Sequence, residues 1–229
     1  MTRHLLLWRH ARTAYNSEAR LQGQVDIPLD EVGHWQARTA AARLAARYRP
    51  ARIVSSDLTR AVETAECLGR LLDLPVEVDP RLRERGFGAW EGLTGREIEA
   101  RWPGEYAHWR AGGDPDGVGA ESRSDVARRV ADGVLDHVAR TTGHGPLVVV
   151  SHGSAIGSLV AELLGQDPQW RGVVGMHNAH WAELLRSGEG VEPGWRLHGY
   201  NVGPTDAPTD CTAAPDRGTS ADEPTRDPD

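Results

Sequence analysis

Two apolar runs in this chain end in the same way, and that repetition constrains the fold more than any other feature. Leu5-Leu6-Leu7-Trp8 is a short, wholly apolar run of the kind a buried strand shows, and it stops at Arg9-His10. Leu147-Val148-Val149-Val150 is another, and it stops at Ser151-His152-Gly153. Open α/β sheets collect their ligands at the carboxyl ends of such strands. An isolated Arg-His pair reads as solvated loop. Two buried strands that each deliver a histidine to one sheet edge read as a site, with one imidazole given a task and the other supporting it.

The rest of the chain supplies alternating elements. A loop from Thr13 to Leu29 leads into a helix near Glu31, where Ala37, Ala40, Ala41, Leu44 and Ala45 form a helical stripe that Pro50 closes. Residues 52–56 read as a strand and 57–72 as a helix, which places Ser55, Ser56 and Arg60 at a helix N-terminus where an anion can sit. Val76 and Val78 mark a short strand. A glycine-punctuated loop, 81–93, carries Phe87 and Trp90, and Thr94 opens a short helix followed by another near 106–110. Ser122 with Asp125 resembles a capping box ahead of a helix to about Arg140, with Val126, Val130, Val134 and Val138 on one face. A helix over 155–164 and strands over 180–185 and 195–198 complete the series. This alternation predicts an α/β fold, a three-layer αβα sandwich with a mostly parallel central sheet. Residues 1–202 form the expected catalytic domain. The Pro-, Asp- and Thr-rich stretch 203–229 is expected to be a disordered tail, because it has almost nothing apolar to offset its ordering entropy.

Composition narrows the function classes. With 229 residues, 39% apolar and 26% charged, the chain supports one substantial core. No apolar run reaches membrane length and no signal-peptide pattern opens the chain, so a cytoplasmic protein without a membrane partner is expected. The net charge of −7 argues against a nucleic-acid partner, although the tail holds seven acids and two arginines and so most of that excess. Cys67 and Cys211 have no metal-ligand spacing and are expected to be bystanders. Whether the protein forms a homodimer stays open.

Strand ends and helix starts would gather Arg9, His10, Asn16, Arg60, Glu84 and His152. Two guanidiniums suit a phosphate dianion, because each binds bidentately and keeps its charge. A small phosphorylated metabolite is therefore the expected ligand. A metal site would want several carboxylates beside the histidines, and only Glu84 is offered, so no cofactor is expected. Beside arginines a neutral imidazole can attack phosphorus in line and carry it as phosphohistidine, while Glu84 serves the leaving oxygen and then the water. Trp90 is expected beside Glu84, where its bulk would raise the acid's pKa by desolvation.

Four blocks then coincide with a known family. Arg9-His10 after a strand, residues 55–65, Leu82-Arg83-Glu84 with Gly88-Ala89-Trp90-Glu91-Gly92, and Ser151-His152-Gly153 resemble, in that order, the signatures of the histidine phosphatase superfamily, phosphoglycerate mutase-like branch. The resemblance implies that His10 is the phosphorylated nucleophile, Glu84 the proton donor, and Arg9, Arg60 and His152 the phosphate pocket. It further implies that Thr13, Asn16, Gln22 and Gly23 contact phosphate or substrate. The chain departs from the pattern at Ala11, where the family usually has glycine, so the backbone there must adopt an ordinary φ or the loop must shift.

The mutases of this branch resemble one another in an insertion rich in lysine and arginine. Here 103–120 offers only Arg110 and His108 against Glu105, Asp114 and Asp116, and Arg128-Arg129 reads as a solvated helix face. Hydrolysis is favoured over phosphoglycerate mutase activity on that ground. Residues 20–26, 90–94 and 176–181 are similar to actinobacterial phosphatases of sugar-linked phosphoglycerate, while alpha-ribazole phosphatases share Phe87–Gly92 and remain an alternative. A non-catalytic phospho-ligand binder would have lost the nucleophile or the acid, and both are here. An α/β-hydrolase fails because Ser154 lacks its flanking glycines.

Overall fold

The computed structural model describes residues 4–203. Residues 204–229 of the expected tail, Cys211 among them, lie outside the described residues. The sheet has six strands: β1 (His4–Arg9), β2 (Arg52–Ser55), β3 (Val76–Val78), β4 (Leu147–Ser151), β5 (Trp181–Arg186) and β6 (Trp195–Val202), in the spatial order β3-β2-β4-β1-β5-β6. The first four are mutually parallel, and β5 and β6 add an antiparallel edge. Strand β4 is inserted between β1 and β2, and its run of buried aliphatics suits that central position.

Because successive side chains on a strand face opposite sides, β1 feeds two cores. Leu5 and Leu7 pack with α6 (Arg123–Arg140) and α7 (Gly153–Leu163) through Val130, Val134, Ile156 and Val160. Leu6 and Trp8 pack on the opposite face with α2 (Glu31–Arg47) and α3 (Thr59–Leu72) through Ala40, Leu44, Ala61 and Leu68. The sandwich read from the sequence is thus the fold observed.

Local chemistry anchors the elements that carry the site. Asp30 caps α2 by accepting from Gly33 N at 2.7 Å and also holds Arg12 Nε at 2.8 Å, which ties the loop after β1 to that helix. A Cβ on Gly33 would fall 1.9 Å from the Arg12 carbonyl oxygen, so this approach demands glycine. At α6 the expected capping box is half-formed: Ser122 Oγ accepts from Asp125 N at 3.0 Å, and its hydroxyl meets Asp125 Oδ2 at 2.7 Å.

Short helices α1 (Ala14–Ser17), α4 (Gly95–Arg101) and α5 (Pro103–Arg110) lie outside the sandwich. The latter two, with the loop before them, bury a third cluster around Phe87, Trp90, Ile98 and Val118. Trp90 sits inside this cluster, with Trp109, Tyr106 and Trp102 ring centroids 5.7, 6.4 and 6.5 Å away. The expectation that Trp90 stands beside Glu84 is therefore corrected: its ring is spent on holding α4 and α5 to the body.

Candidate active site

The register explains why two histidines distant in sequence meet. Leu5 pairs with Leu147 and Arg9 with Ser151, so the next residues, His10 and His152, leave adjacent strands side by side. Their ring centroids lie 5.2 Å apart. His10 N still continues the ladder by donating to Ser151 O at 2.9 Å.

Each imidazole's tautomer follows from its partner. His10 Nδ1 lies 2.7 Å from Ala11 O, and a carbonyl only accepts, so Nδ1 carries the proton and Nε2 the lone pair. Arg60 Nε donates to His152 Nδ1 at 3.2 Å, so the proton of His152 is on Nε2. That Nε2 is enclosed and has no hydrogen-bond partner, and Arg9 Nε is in the same condition. Burial holds His10 well below the ordinary histidine pKa, with the charges of Arg60 and Arg9 pressing the same way. His152 is likewise pushed well down, by burial and then by Arg60 and His10. Burial also lowers Arg60, to about 10, which leaves it a cation at neutral pH.

Arg60 is fixed by the loop after α1. Its Nη1 donates to Val25 O and its Nη2 to Gly23 O, both at 2.7 Å. Arg9 hydrogen-bonds through Nη1 to Met176 O. Glu84 is fixed by two backbone N–H groups at the start of α7 and by that of its own neighbour: Oε1 accepts from Ala155 N at 2.9 Å and from Arg85 N at 2.8 Å, and Oε2 from Ser154 N at 3.1 Å. The Ser55-Ser56 helix start, by contrast, is not an open anion site. Asp26 fills it, accepting from Thr59 N and Thr59 Oγ1 at 2.8 Å each, and both serines are buried.

One cavity of about 400 Å³ is lined by Arg9, His10, Asn16, Gln22, Gly23, Arg60 and Glu84, and His152 packs on His10 beneath it. Thr13 does not line it. Its buried hydroxyl donates to Gln22 Oε1 at 2.8 Å and accepts from Asn16 N at 3.3 Å, so it orients the lining instead of meeting a ligand. Ala11 lies outside the positive-φ residues and packs its methyl into the core, which resolves the departure from glycine.

The sequence gives several contributors no individual role. Arg129 is not a solvated face residue: it donates to the carbonyls of Arg81 and Arg83 at 2.9 and 3.0 Å and to Glu121 Oε2 at 2.8 Å, steadying the strand of chain that leads to Glu84. Arg128 does lie exposed beside Asp125. Asn178 donates to His10 O at 3.1 Å and Asn16 Oδ1 at 3.2 Å, and the turn carrying it closes at Ala179 with φ of 59°. Arg123, Trp170, Arg171 and Tyr200 also belong to the cavity wall. Among the described residues, no group of three or more His, Cys, Asp or Glu side chains is placed to hold a metal ion.

The family model of the histidine phosphatase superfamily (branch 1) matches residues 5–202. The chain belongs to this superfamily. It is accordingly a phosphatase enzyme with the family's α/β fold. It is 42% identical over 215 residues to the glucosyl-3-phosphoglycerate phosphatase of Mycobacterium tuberculosis, covering 87% of this chain and 95% of that protein. A solved structure of a mycobacterial glucosyl-3-phosphoglycerate phosphatase complexed with VO3 superposes with a TM-score of 0.79 at 41% identity, over 87% of this chain and 99% of the other. A probable phosphoglycerate mutase of Yersinia enterocolitica is 36% identical over 172 residues, covering 72% of this chain and 76% of that protein.

Proposed function

We propose that this histidine phosphatase is a metal-independent phosphomonoesterase that works through phospho-His10 on a sugar-linked phosphoglycerate. The observation that carries the reading is the state of His10: a neutral ring, its Nδ1–H committed to Ala11 O and its Nε2 lone pair free, among cations in a cavity. Arg9, Arg60 and His152 Nε2 hold the phosphoryl oxygens and stabilise the charge that develops on them. His10 Nε2 attacks phosphorus in line; the N–P bond forms as the ester P–O bond breaks, and the leaving oxygen takes a proton from the Glu84 carboxylic acid. Glu84, now a carboxylate, removes a proton from water, whose oxygen attacks phosphorus and frees His10 as phosphate departs. Asn16, Gln22 and Gly23 border the reacting group, and Thr13 keeps Gln22 and Asn16 in place.

The glucosylated substrate class is taken from the 42% identical mycobacterial phosphatase. Hydrolysis is preferred to phosphoryl transfer because residues 103–120, where the mutases carry their lysine- and arginine-rich insertion, line no part of the cavity. No helix among the described residues is long and apolar enough to cross a membrane, and a cytoplasmic location is part of this proposal. The test is turnover of glucosyl-3-phosphoglycerate with chelator present, followed by an alkaline quench after labelling with a radioactive phosphate ester. Label is expected on His10 and on no other histidine. Undiminished turnover by His10→Ala refutes the mechanism.

A further inference from the structure

Several arginines among the described residues are matched to carboxylates. Arg81 meets Asp79 and Asp136, Arg83 meets Asp57, Arg52 meets Glu77 and Arg129 meets Glu121. Two guanidiniums in the cavity wall keep an enclosed Nε with no hydrogen-bond partner, those of Arg9 and Arg123. Arg9 stands beside the two histidines, where the phosphoryl group is read to bind. Arg123 belongs to a different set of charges: Arg171, Arg85 and Asp114 act on it, whereas Arg60 and Arg9 act on His10. One cavity therefore contains two cationic centres.

Asp114 does not satisfy the second centre. Its Oδ1 accepts from Arg85 Nη2 at 2.8 Å, and its Oδ2 takes the backbone N–H of Arg123 at 3.2 Å and Gln169 Nε2 at 3.4 Å. The Arg123 guanidinium comes no nearer than 3.8 Å to it. Arg171 donates Nη2 to Gly112 O at 2.5 Å and has no ion pair among the described residues. Arg85 and Arg123 thus share one carboxylate while Arg171 adds a further positive charge to Arg123, and an enclosed N–H without an acceptor is destabilising until something supplies one. A planar anion with two oxygens matches the edge of a guanidinium, and the nearby Asp114 charge disfavours a dianion more than a monoanion.

We propose that Arg123, backed by Arg171, binds a carboxylate of the substrate at a subsite separate from the phosphoryl cage. The inference rests on reading the cavity as a phosphate-ester site, and it assigns the selectivity for a carboxylated ester to these two side chains. A phosphate ester without the carboxylate would leave Arg123 Nε unsatisfied, so discrimination arises from the penalty as well as from the contact.

The experiment is calorimetric binding to His10→Ala protein, which removes turnover from the measurement. The probes are 3-phosphoglycerate and glycerol 3-phosphate, which differ only in carboxylate against hydroxymethyl, with propane-1,3-diyl bisphosphate as the second-phosphate probe. Binding of 3-phosphoglycerate at least about tenfold tighter than glycerol 3-phosphate is expected, falling to within about twofold when Arg123→Met is added. Arg171→Met, exposed and so safer for folding, should remove part of the preference. Equal binding of the first two probes, survival of the preference in Arg123→Met, or a larger Arg123-dependent gain for the bisphosphate overturns the carboxylate subsite. Wild-type turnover is read separately: its absence, with the Arg123-dependent preference intact, counts against the hydrolytic reading and for the subsite.

Discussion

Arg60 Nε donates to His152 Nδ1 at 3.2 Å while the same guanidinium holds the carbonyls of Val25 and Gly23. One side chain therefore sets the proton of the second histidine on Nε2 and clamps the loop that borders the cavity. Lysine keeps the charge but is a point donor, and it cannot meet three acceptors in those directions. Arg60→Lys is expected to lower kcat/KM by about 100-fold or more and to weaken inhibition by inorganic phosphate. Steady-state kinetics with phosphate as a competitive inhibitor measures both, and near-wild-type values would show that charge alone suffices.

The two buried imidazoles make a claim about pH. Both are held neutral, chiefly by burial, so their folded pKa values lie well below 6.5. As pH falls through 6.5 the unfolded chain takes up protons at these positions and the native chain does not. Stability conferred above 6.5 is consequently lost below it, by up to about 1.4 kcal/mol per pH unit for each histidine. Urea unfolding at pH 7.5 and 5.5 should show this loss in wild type and a smaller one in a His10→Ala/His152→Ala double variant. An unchanged slope would mean that the histidines are charged in the native state.

Glu84 is held by three backbone N–H groups, an arrangement a glutamine cannot reproduce because its amide offers N–H where an acceptor is needed. If its task is to protonate the leaving oxygen, the penalty for Glu84→Gln must depend on the leaving group. Loss of about 10²–10⁴ in kcat is expected on alkyl phosphates, and a much smaller loss on p-nitrophenyl phosphate, whose phenolate departs unaided. Equal losses on both would reduce Glu84 to a structural anchor for α7.

The contrast between legible and illegible residues has a physical cause. Strands β1 and β4 announce themselves because Leu5–Trp8 and every residue of β4 are buried, and the histidines that follow them are read with them. The α2 stripe is equally plain, since Ala37, Ala40, Ala41 and Leu44 are all buried. What local pattern does not carry is partnership. Arg129 and Arg128 are neighbours in sequence, yet one braces the Glu84 loop and the other is solvated. Nearness to Glu84 in sequence suggests that Trp90 stands beside it, but the rings of Trp102, Tyr106 and Trp109 claim Trp90 instead. Thr13 fits a family motif and serves by orienting Gln22, a distinction visible only from its burial. Arg123 resembles any first-turn residue of a long helix; its significance lies in the acceptor it lacks.

Gly23 offers a test of how tightly the loop is held. It has φ of +53°, and an added Cβ would lie 2.1 Å from Glu91 Oε1, which itself accepts from Gln24 N at 3.1 Å and Phe87 N at 2.9 Å. Gly23→Ala must expel Glu91 and strain the backbone whose carbonyl receives Arg60. A stability loss of about 2 kcal/mol is expected, with a fall in phosphate affinity. Chemical denaturation and phosphate titration check the two effects, and an undisturbed variant would mean that the loop re-forms without the Glu91 contact.

Asp79 connects the end of β3 to α6 and lies away from the cavity lining, so its effect should be on stability alone. Burial by itself would raise its pKa. Hydrogen bonds from the Arg81 side chain and backbone, and from His137 Nε2 at 3.0 Å, overcome that and pull it down to about 2. A carboxyl whose folded pKa is depressed from 3.8 to about 2 stabilises the fold above the unfolded value and loses that contribution as pH falls from near 4 towards 2. The difference amounts to about 2 kcal/mol at neutral pH. Asp79→Asn keeps the shape but removes the charge that Arg81 and the His137 N–H meet. It is expected to cost about 2 kcal/mol at pH 7, with a gap from wild type that narrows steadily between pH 4 and pH 2. Turnover per folded molecule should stay within about twofold of wild type, because no cavity-lining group is altered. Urea midpoints across that pH range decide the matter: a gap independent of pH would assign the loss to packing, not to the ion pairs.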